Sequence, residues 1–234
     1  MTCPGATLTI TKATVTATAN NKTRVYGANN PAFDLSYSGF VSPDTVTAID
    51  AVPTASSTET ALSNVGTYTI TCTGGTDGNY IITCVNGTLT ITQATLTATA
   101  NNKSRTYGAA NPTFDLTYTG FVSPDTVTAI DAVPTASSTE TALSNVGTYT
   151  ITCTGGMDNN YIITCVNGTL TVTQATLTAQ TNAKTRLYGG AANPVFDFTY
   201  TGFLNGDTDT VLDTKPVAST TATATTATGT YSIT

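Results

Sequence analysis

The hexapeptide K-T-R-V-Y-G at residues 22–27 recurs as K-S-R-T-Y-G at residues 103–108 and as K-T-R-L-Y-G at residues 184–189. The Tyr-Gly pair therefore returns every 81 residues. Around it, residues 13–93 match residues 94–174 at 71 of 81 positions without a gap. Because self-similarity at a fixed period is the signature of a repeat protein, the sequence predicts a tandem array of small domains.

The period divides the chain into four predicted parts. These are residues 1–12, repeat 1 at residues 13–93, repeat 2 at residues 94–174 and repeat 3 at residues 175–234. Repeat 3 is more diverged, and it lacks counterparts of the C-terminal strands of the other two copies. The T-L-T-I-T of residues 7–11 is identical to residues 88–92. Residues 1–12 are therefore predicted to be the last strand of a preceding repeat, in a segment cut from a longer array.

Within each repeat the pattern is that of β-strands. Threonine occupies 59 of the 234 positions, and it alternates with apolar residues, as in T-L-T-A-T-A at residues 95–100 and G-T-Y-T-I-T-C at residues 147–153. Strict alternation places the apolar side chains on one face of a half-buried strand. Turn-forming Gly-Gly and Asn-Gly pairs separate these runs.

One stretch per repeat favours a short helical turn. In S-P-D-T-V-T-A-I at residues 123–130, serine suits an N-cap and proline suits the first helical position. We therefore expect a mainly β array of domains of about 81 residues, each with one short helical turn. An immunoglobulin-like β-sandwich is the favoured fold, and a β-grasp-like sheet is the alternative.

The composition excludes several classes of function. Charged residues make up only 9% of the chain, with eight Lys and Arg, no His and a net charge of −6. Eight basic residues do not build a nucleic-acid-binding groove. The absence of His removes the commonest general base and metal ligand, so we predict no enzymatic activity, no cofactor and no metal site. No apolar run approaches the length of a membrane span.

The cysteines follow the repeat. Cys72 and Cys84 lie 12 residues apart, as do Cys153 and Cys165, and alternation places all four on the inward face. A structural metal site normally takes four ligands and redox pairs are normally closer in sequence, so we predict two structural disulfides and an oxidising compartment. Cys3 aligns with Cys84 and is predicted to be unpaired within this sequence.

Other polar groups have ordinary explanations. Asp77, Asn79 and their repeat 2 counterparts suggest calcium only weakly, because Asx residues are standard turn formers. The acids Asp44, Asp50 and Glu59 are expected to be solvated loop residues and not a catalytic pair. An isopeptide bond from Lys22 or Lys103 to an asparagine is a less favoured alternative to an exposed lysine in a polar loop.

Several strings together resemble a known family. They are K-S-R-T-Y-G-A-A-N-P at residues 103–112, T-G-F at 119–121, N-V-G-T-Y at 145–149 and V-N-G-T-L-T at 166–171. In this order they are similar to the MBG repeat domain of the YGX type, which occurs in tandem in large secreted and surface-attached bacterial proteins, many of them adhesin-like. Repeat 3 has the family's usual G-F-x-x-G-D at residues 202–207, whereas repeats 1 and 2 depart from it with Ser-Pro-Asp. The family has no catalytic residues to carry over.

This resemblance implies a structural role. We expect a non-catalytic repeat of an extracellular or cell-surface bacterial stalk or fibre, and an adhesin module that recognises glycan or host protein is the alternative. The expected partners are adjacent repeats of the same array and, as a further possibility, identical chains joined head to tail.

Overall fold

The computed structural model describes residues 4–190 and 192–234, and these divide into two compact units. The first unit runs to Thr99 and includes residues 117–135 and 154–166, and the second comprises residues 100–116, 136–153 and 167–234. Each unit therefore combines parts of two sequence repeats. The predicted unpaired Cys3 lies outside the described residues.

Repeat 1 belongs wholly to the first unit and forms two β-sheets. Its strands are β1 Ala13–Ala19, β2 Lys22–Val25, β3 Leu35–Ser38, β4 Thr54–Ser56, β5 Gly66–Thr73, β6 Tyr80–Val85 and β7 Gly87–Thr92. The strand orders are β3-β1-β6 and β2-β7-β5-β4. The prediction of a mainly β chain is confirmed.

Both sheets of repeat 1 are mixed. β1 runs antiparallel to β3 but parallel to β6, with Ala13 facing Tyr80. β2 runs parallel to β7, with Lys22 facing Leu89, and β7 runs antiparallel to β5. Lys22 was expected in a polar loop and instead begins a strand, so the chain passes from one sheet to the other in the two residues between β1 and β2.

The core of repeat 1 receives side chains from both sheets. Val15 and Ala17 of β1 are fully buried, as are Ile70 of β5 and Leu89 and Ile91 of β7. The intervening threonines face outward, as the alternation predicts. Removing these apolar side chains from water is the main favourable contribution to folding.

Repeat 2 repeats the two strand orders. Its strands are β8 Ala94–Ala100, β9 Lys103–Thr106, β10 Leu116–Thr119, β11 Thr135–Ser137, β12 Gly147–Thr154, β13 Tyr161–Val166 and β14 Gly168–Thr173. The sheets have the orders β10-β8-β13 and β11-β12-β14-β9. In repeat 3 the described strands are β15 Thr178–Thr181 and β16 Phe198–Thr201, which pair antiparallel.

The predicted short helical turn is present in each repeat, but it begins later than predicted. Pro124 follows a cis peptide bond instead of occupying the first position of a helix. A single 3-10 turn follows at Val127–Ala129, and the corresponding turns are Val46–Ala48 and Asp209–Val211. None of the described helical segments has the length and hydrophobicity that a membrane span requires.

Residues 4–12 contain no strand. The side chains of Leu8 and Ile10 are 89% and 88% exposed. The ammonium group of Lys12 donates to the carbonyl of Asp77 at 2.8 Å, which anchors the segment where β1 begins. The assignment of residues 1–12 to a preceding repeat stays a prediction, but the expected strand at residues 7–11 is absent here.

A disulfide joins the two sheets of repeat 1. Cys72 of β5 is bonded to Cys84 of β6, with Cα atoms 5.4 Å apart. Cys72 is buried, whereas Cys84 is only half-buried because β6 is an edge strand. Cys153 and Cys165 are also in the disulfide-bonded state.

We predict that protein secreted into an oxidising compartment yields linked peptides containing Cys72 with Cys84 and Cys153 with Cys165 by mass spectrometry without reduction. Replacing Cys72 and Cys84 together by serine should lower the free energy of unfolding by about 3 kcal/mol, because the bond closes a short loop in the unfolded chain. Free thiols at both pairs in such protein would contradict the prediction.

Candidate functional site at the repeat junctions

A buried arginine organises each Tyr-Gly motif. Arg24 lies on β2 and is only 6% exposed. Its Nε donates to Oδ1 of Asn30 at 2.7 Å, and its Nη1 donates to the carbonyls of Val25 at 3.3 Å and Ala61 at 3.4 Å. Its Nη2 donates to the carbonyl of Thr60. The guanidinium therefore satisfies its donors with neutral oxygens, as a buried charge requires.

Asn30 extends this arrangement to the facing loop. Its Nδ2 donates to the carbonyl of Glu59 at 2.6 Å. The same pairing recurs in repeat 2, where Arg105 Nε donates to Asn111 at 2.7 Å, and in repeat 3, where Arg186 Nε donates to Asn193 at 2.8 Å. We use the name arginine clamp for this Arg–Asn pair together with the carbonyl oxygens that the pair binds.

The clamp fixes the turn that follows β2. The N–H of Gly27 donates to the carbonyl of Ala61 at 3.0 Å, which is the same oxygen that Arg24 binds. The N–H of Tyr26 donates to the carbonyl of Thr92 at 2.8 Å. Gly27 has φ +84°, a conformation that residues with a Cβ rarely adopt. Tyr26 is thus held in one orientation, toward repeat 2.

Tyr26 and Tyr161 share one carboxylate oxygen of repeat 2. The hydroxyl of Tyr26 donates to Oδ2 of Asp125 at 2.9 Å, and the hydroxyl of Tyr161 donates to the same atom at 2.7 Å. The two rings meet edge to face with centroids 5.5 Å apart. Burial, followed by the hydrogen bond to Asp125, raises the pKa of both phenols above the ordinary value. The neutral phenols are therefore the stable donors to the carboxylate.

The glycine of the motif lies directly against repeat 2. A Cβ on Gly27 would lie 2.6 Å from Cγ1 of Val122 and would also clash with the other methyl group. The second unit contains the equivalent contact, because a Cβ on Gly108 would lie 2.5 Å from Cδ1 of Leu204. There Tyr107 donates to Oδ2 of Asp207 at 2.9 Å. We use the name junction for three components: the Tyr-Gly pair of one repeat, the aspartate that it contacts in the next repeat, and the apolar side chain of that next repeat that packs against the glycine.

The link between repeats 1 and 2 is a single residue. Gln93 separates β7 from β8, and its Nε2 donates to the carbonyls of Asp158 at 3.1 Å and Tyr161 at 3.2 Å. Beside it, the N–H of Val65 donates to Oδ1 of Asn160 at 2.9 Å. The linking residue Gln93 and the nearby Val65 of repeat 1 are therefore both hydrogen-bonded to repeat 2.

Acidic side chains singled out from the sequence accept hydrogen bonds within the fold. Asp44 accepts from the Tyr80 hydroxyl at 2.7 Å, as Asp125 does from Tyr161. Asp77 accepts from the N–H groups of Asn79 and Tyr80 at 2.6 and 2.8 Å, and these bonds, led by that of Asn79, lower the pKa of its carboxyl. No cluster of three or more potential metal ligands occurs among the residues that the structure describes.

Lys22 lies beside an aspartate and not an asparagine acceptor. Its ammonium group pairs with Asp34, and Lys103 pairs with Asp115 at 2.5 Å. The hydrogen bond from Lys22 lowers the pKa of the Asp34 carboxyl. Because a protonated amine is not a nucleophile and a carboxylate is a poor electrophile, this arrangement favours an ion pair over an isopeptide bond.

The arginine clamp was not recognised from the sequence. Its signal is the arginine two residues before Tyr-Gly, followed by asparagine six residues later in repeats 1 and 2 and seven later in repeat 3. The junction was also missed, because Tyr26 and Asp125 are 99 residues apart. By itself a Tyr-Gly pair indicates a buried aromatic side chain followed by a turn glycine, which describes Tyr26 and Gly27 but not their partners.

We predict that Gly27→Ala destabilises the chain by about 1–3 kcal/mol more than Gly74→Ala. Both glycines have positive φ, but a Cβ on Gly74 meets nothing within 4 Å. The difference between their urea-unfolding free energies therefore isolates the clash with Val122. Adding Val122→Ala should recover part of the loss, and equal losses for both glycines would show that the contact does not form.

We predict that the junction weakens in alkaline solution. A pKa raised in the folded state means that the tyrosine contribution is complete below the unfolded value of about 10 and is lost as the pH rises through the folded pKa. Urea-unfolding midpoints measured from about pH 8 to about pH 11 should fall, and Tyr26→Phe should reduce that dependence. The matched control is Tyr188→Phe, since Tyr188 is 65% exposed, and an unchanged slope for Tyr26→Phe would contradict the prediction.

The comparison with protein families finds one family in three places along the chain. The MBG domain (YGX type) family matches residues 14–90, 96–171 and 176–234. The family is a non-enzymatic type of repeat domain. No curated protein matches the chain. Since the three matches cover most of the sequence, the chain belongs to the MBG domain family of the YGX type, with three repeats in tandem.

Proposed function

We propose that the chain is a non-catalytic structural segment of an extracellular bacterial stalk or fibre, in which the junction transmits load from one repeat to the next. The observation that carries this proposal is the recurrence of one contact set. Tyr26 with Asp125 and Tyr107 with Asp207 have the same 2.9 Å hydrogen bond, and a glycine packs on an apolar side chain in both places.

Repetition of this kind suits a structural role. Each junction takes one half from each of two successive repeats, so adding a repeat adds one more contact of the same kind. The half-buried carboxylate of Asp125 accepts hydrogen bonds from two phenols, and the carboxylate of Asp77 accepts them from backbone N–H groups. These hydrogen bonds give both acids a structural explanation, which supports the non-catalytic proposal.

Two finer proposals concern the domains. We place the repeat borders at residues 13–93, 94–174 and 175–234, with residues 1–12 belonging to a preceding repeat, and the family matches fall inside the three repeat ranges. We also propose an immunoglobulin-like sandwich for the complete repeats in preference to a β-grasp. The burial of Ala17 from one sheet together with Ile70 and Leu89 from the other supports it.

The disulfides support an extracellular location. Cys72 is bonded to Cys84, and such bonds persist in oxidising environments such as the bacterial cell surface. A disulfide between two sheets also limits how far a repeat extends if it opens under load, which suits a stalk. The proposal therefore places the chain outside the cell, where neighbouring repeats, and chains joined head to tail, are its partners.

We predict that repeats 1 and 2 tumble together in solution. Backbone amide NMR relaxation should give one rotational correlation time for both repeats, because Gln93 and the junction fix the link. The double variant Tyr26→Phe with Gln93→Gly should separate the two values. The matched control is Tyr37→Phe, since the Tyr37 ring packs on Phe40 within repeat 1. Independent tumbling of the unaltered repeats would overturn the proposed load-bearing role.

A further inference from the structure

We propose that copies of the chain associate side by side through β6 and its counterpart β13, each of which pairs antiparallel with such a strand of a second copy. We use the name lateral edge for β6 and for β13. The inference rests on the proposed structural role and deepens it by naming a second copy as a lateral partner. It uses residues outside the described junctions.

Among the edge strands of repeat 1, β6 lacks the usual protection against pairing with another strand. The two sheets end in β3 and β6 and in β2 and β4. β4 has only three residues, and β2 and β3 have four each, with Lys22 of β2 paired to Asp34 directly before β3. β6 has six residues and neither a charge nor a proline, and β13 has the identical sequence Y-I-I-T-C-V. Because proteins normally protect a long edge with charges or prolines, the lateral edge is the one suited to association.

Two large apolar side chains on the outer face of each lateral edge are exposed to solvent. In β6, Ile81 is 56% exposed and Val85 is 42% exposed. Their counterparts in β13, Ile162 and Val166, are 55% and 41% exposed. β6 is followed by a complete repeat and β13 is preceded by one, so the agreement between the two strands makes this exposure a property of the repeat itself. Burying these side chains against a partner is favourable.

The backbone of β6 directs hydrogen-bonding groups toward its free side. The N–H of Ala13 donates to the carbonyl of Asn79 at 3.0 Å, so the backbone groups of Asn79 and of every second residue after it point toward β1. The N–H and C=O groups of Ile82 and Cys84 consequently point away from β1. In repeat 2 the same ladder begins at Ala94. A strand that lies beside the lateral edge therefore meets backbone groups with which it can pair.

The lateral edge is complementary to itself, which identifies a second copy as the partner. In an antiparallel pair centred on Thr83, this residue faces its own counterpart and Ile81 faces Val85 of the second copy. Ile82 and Cys84 then form the hydrogen-bonded pairs. The outer-face residues form the closer, non-hydrogen-bonded pairs, with Cα atoms about 4.5 Å apart. Apolar side chains therefore meet apolar side chains across the strands, as a two-fold contact between identical surfaces requires.

The charges beside the lateral edge favour the antiparallel direction. Asp77 precedes β6, and Asp158 precedes β13. An antiparallel pair places the Asp77 carboxylates of the two copies at opposite ends of the contact, whereas a parallel pair would bring like charges side by side. Since each chain carries two lateral edges, association continues beyond a single contact, which suits the bundling of chains into a fibre.

The first experiment measures association of the full chain by analytical ultracentrifugation over a wide range of concentration. We expect concentration-dependent oligomers that Ile81→Thr with Ile162→Thr weakens by about tenfold, because the β-branched shape is kept but the apolar pairs are lost. The matched control is Leu62→Thr with Leu143→Thr, which removes exposed apolar side chains from the loops that the arginine clamps bind. The control should leave association unchanged. A chain that stays monomeric, or equal effects of the two double variants, would overturn the inference.

The second experiment tests the self-facing register. One chain carries Thr83→Asp with Thr164→Asp, and a second chain carries lysine at the same two positions. Each chain alone should lose association because like charges face each other, and an equimolar mixture should regain it because opposite charges do. The matched control is Ser38→Asp with Thr119→Asp, which adds the same charges to β3 and β10 at the other edge of the same sheets and should keep association. A mixture that does not recover, or a control that dissociates as fully as the test variant, would overturn the inference.

The outcome separates this inference from the proposed function. None of these variants changes Tyr26, Asp125 or Gln93, so joint tumbling of repeats 1 and 2 remains a separate readout and can be measured on the dissociated aspartate variant. If repeats 1 and 2 tumble together and the chains do not associate, the inference fails and the structural role stands. If they tumble independently, the proposed role fails whatever the association shows.

Discussion

The fixed orientation of each Tyr-Gly turn depends on a charge held by neutral oxygens. Arg24 binds Asn30 and three backbone carbonyls inside repeat 1. Because leaving one of these donors unpaired in the interior would cost a large part of the stability of a small domain, the loop around Ala61 is restricted to positions that satisfy the guanidinium. That loop accepts the N–H of Gly27. The clamp thus fixes the position of the turn with groups of repeat 1 alone.

The contacts of the junction depend on the turn that the arginine clamp fixes. Tyr26 reaches Asp125 only if its turn has one orientation, and Gly27 meets Val122 only if the same turn has no Cβ. A hydrogen bond to a charged acceptor is stronger than one between neutral groups, and edge-to-face packing on Tyr161 adds to it. The hydrogen bond restricts the direction of the contact, and the close approach of Gly27 to Val122 restricts its distance. Together they favour one arrangement of neighbouring repeats.

The sequence predicted the local features well and the long-range ones poorly. Alternation of Thr with apolar residues located β1, β5 and β7, because side-chain direction in a strand depends only on neighbouring positions. The parallel pairing of β1 with β6 was not predictable, because it joins residues 67 positions apart, such as Ala13 and Tyr80. The helical turn was predicted, but its start at Ser123 and Pro124 was wrong, because cap and first-turn preferences are weak beside tertiary packing and the turn begins at Val127. The arginine clamp was missed because a lone Arg is usually exposed.

The two described junctions show which part of the contact the repeats must keep. In repeat 2 the aspartate belongs to Ser-Pro-Asp, whereas in repeat 3 it belongs to Asn-Gly-Asp. The hydrogen bond from the tyrosine of the preceding repeat is 2.9 Å long at both junctions. The side chain that packs against the glycine is Val122 at one junction and Leu204 at the other. The loop that carries the aspartate therefore tolerates a change of backbone and of apolar side chain, provided that the carboxylate reaches the phenol. Since each internal repeat supplies a tyrosine to one neighbour and an aspartate to the other, losing either group in one copy would break the contact on that side only.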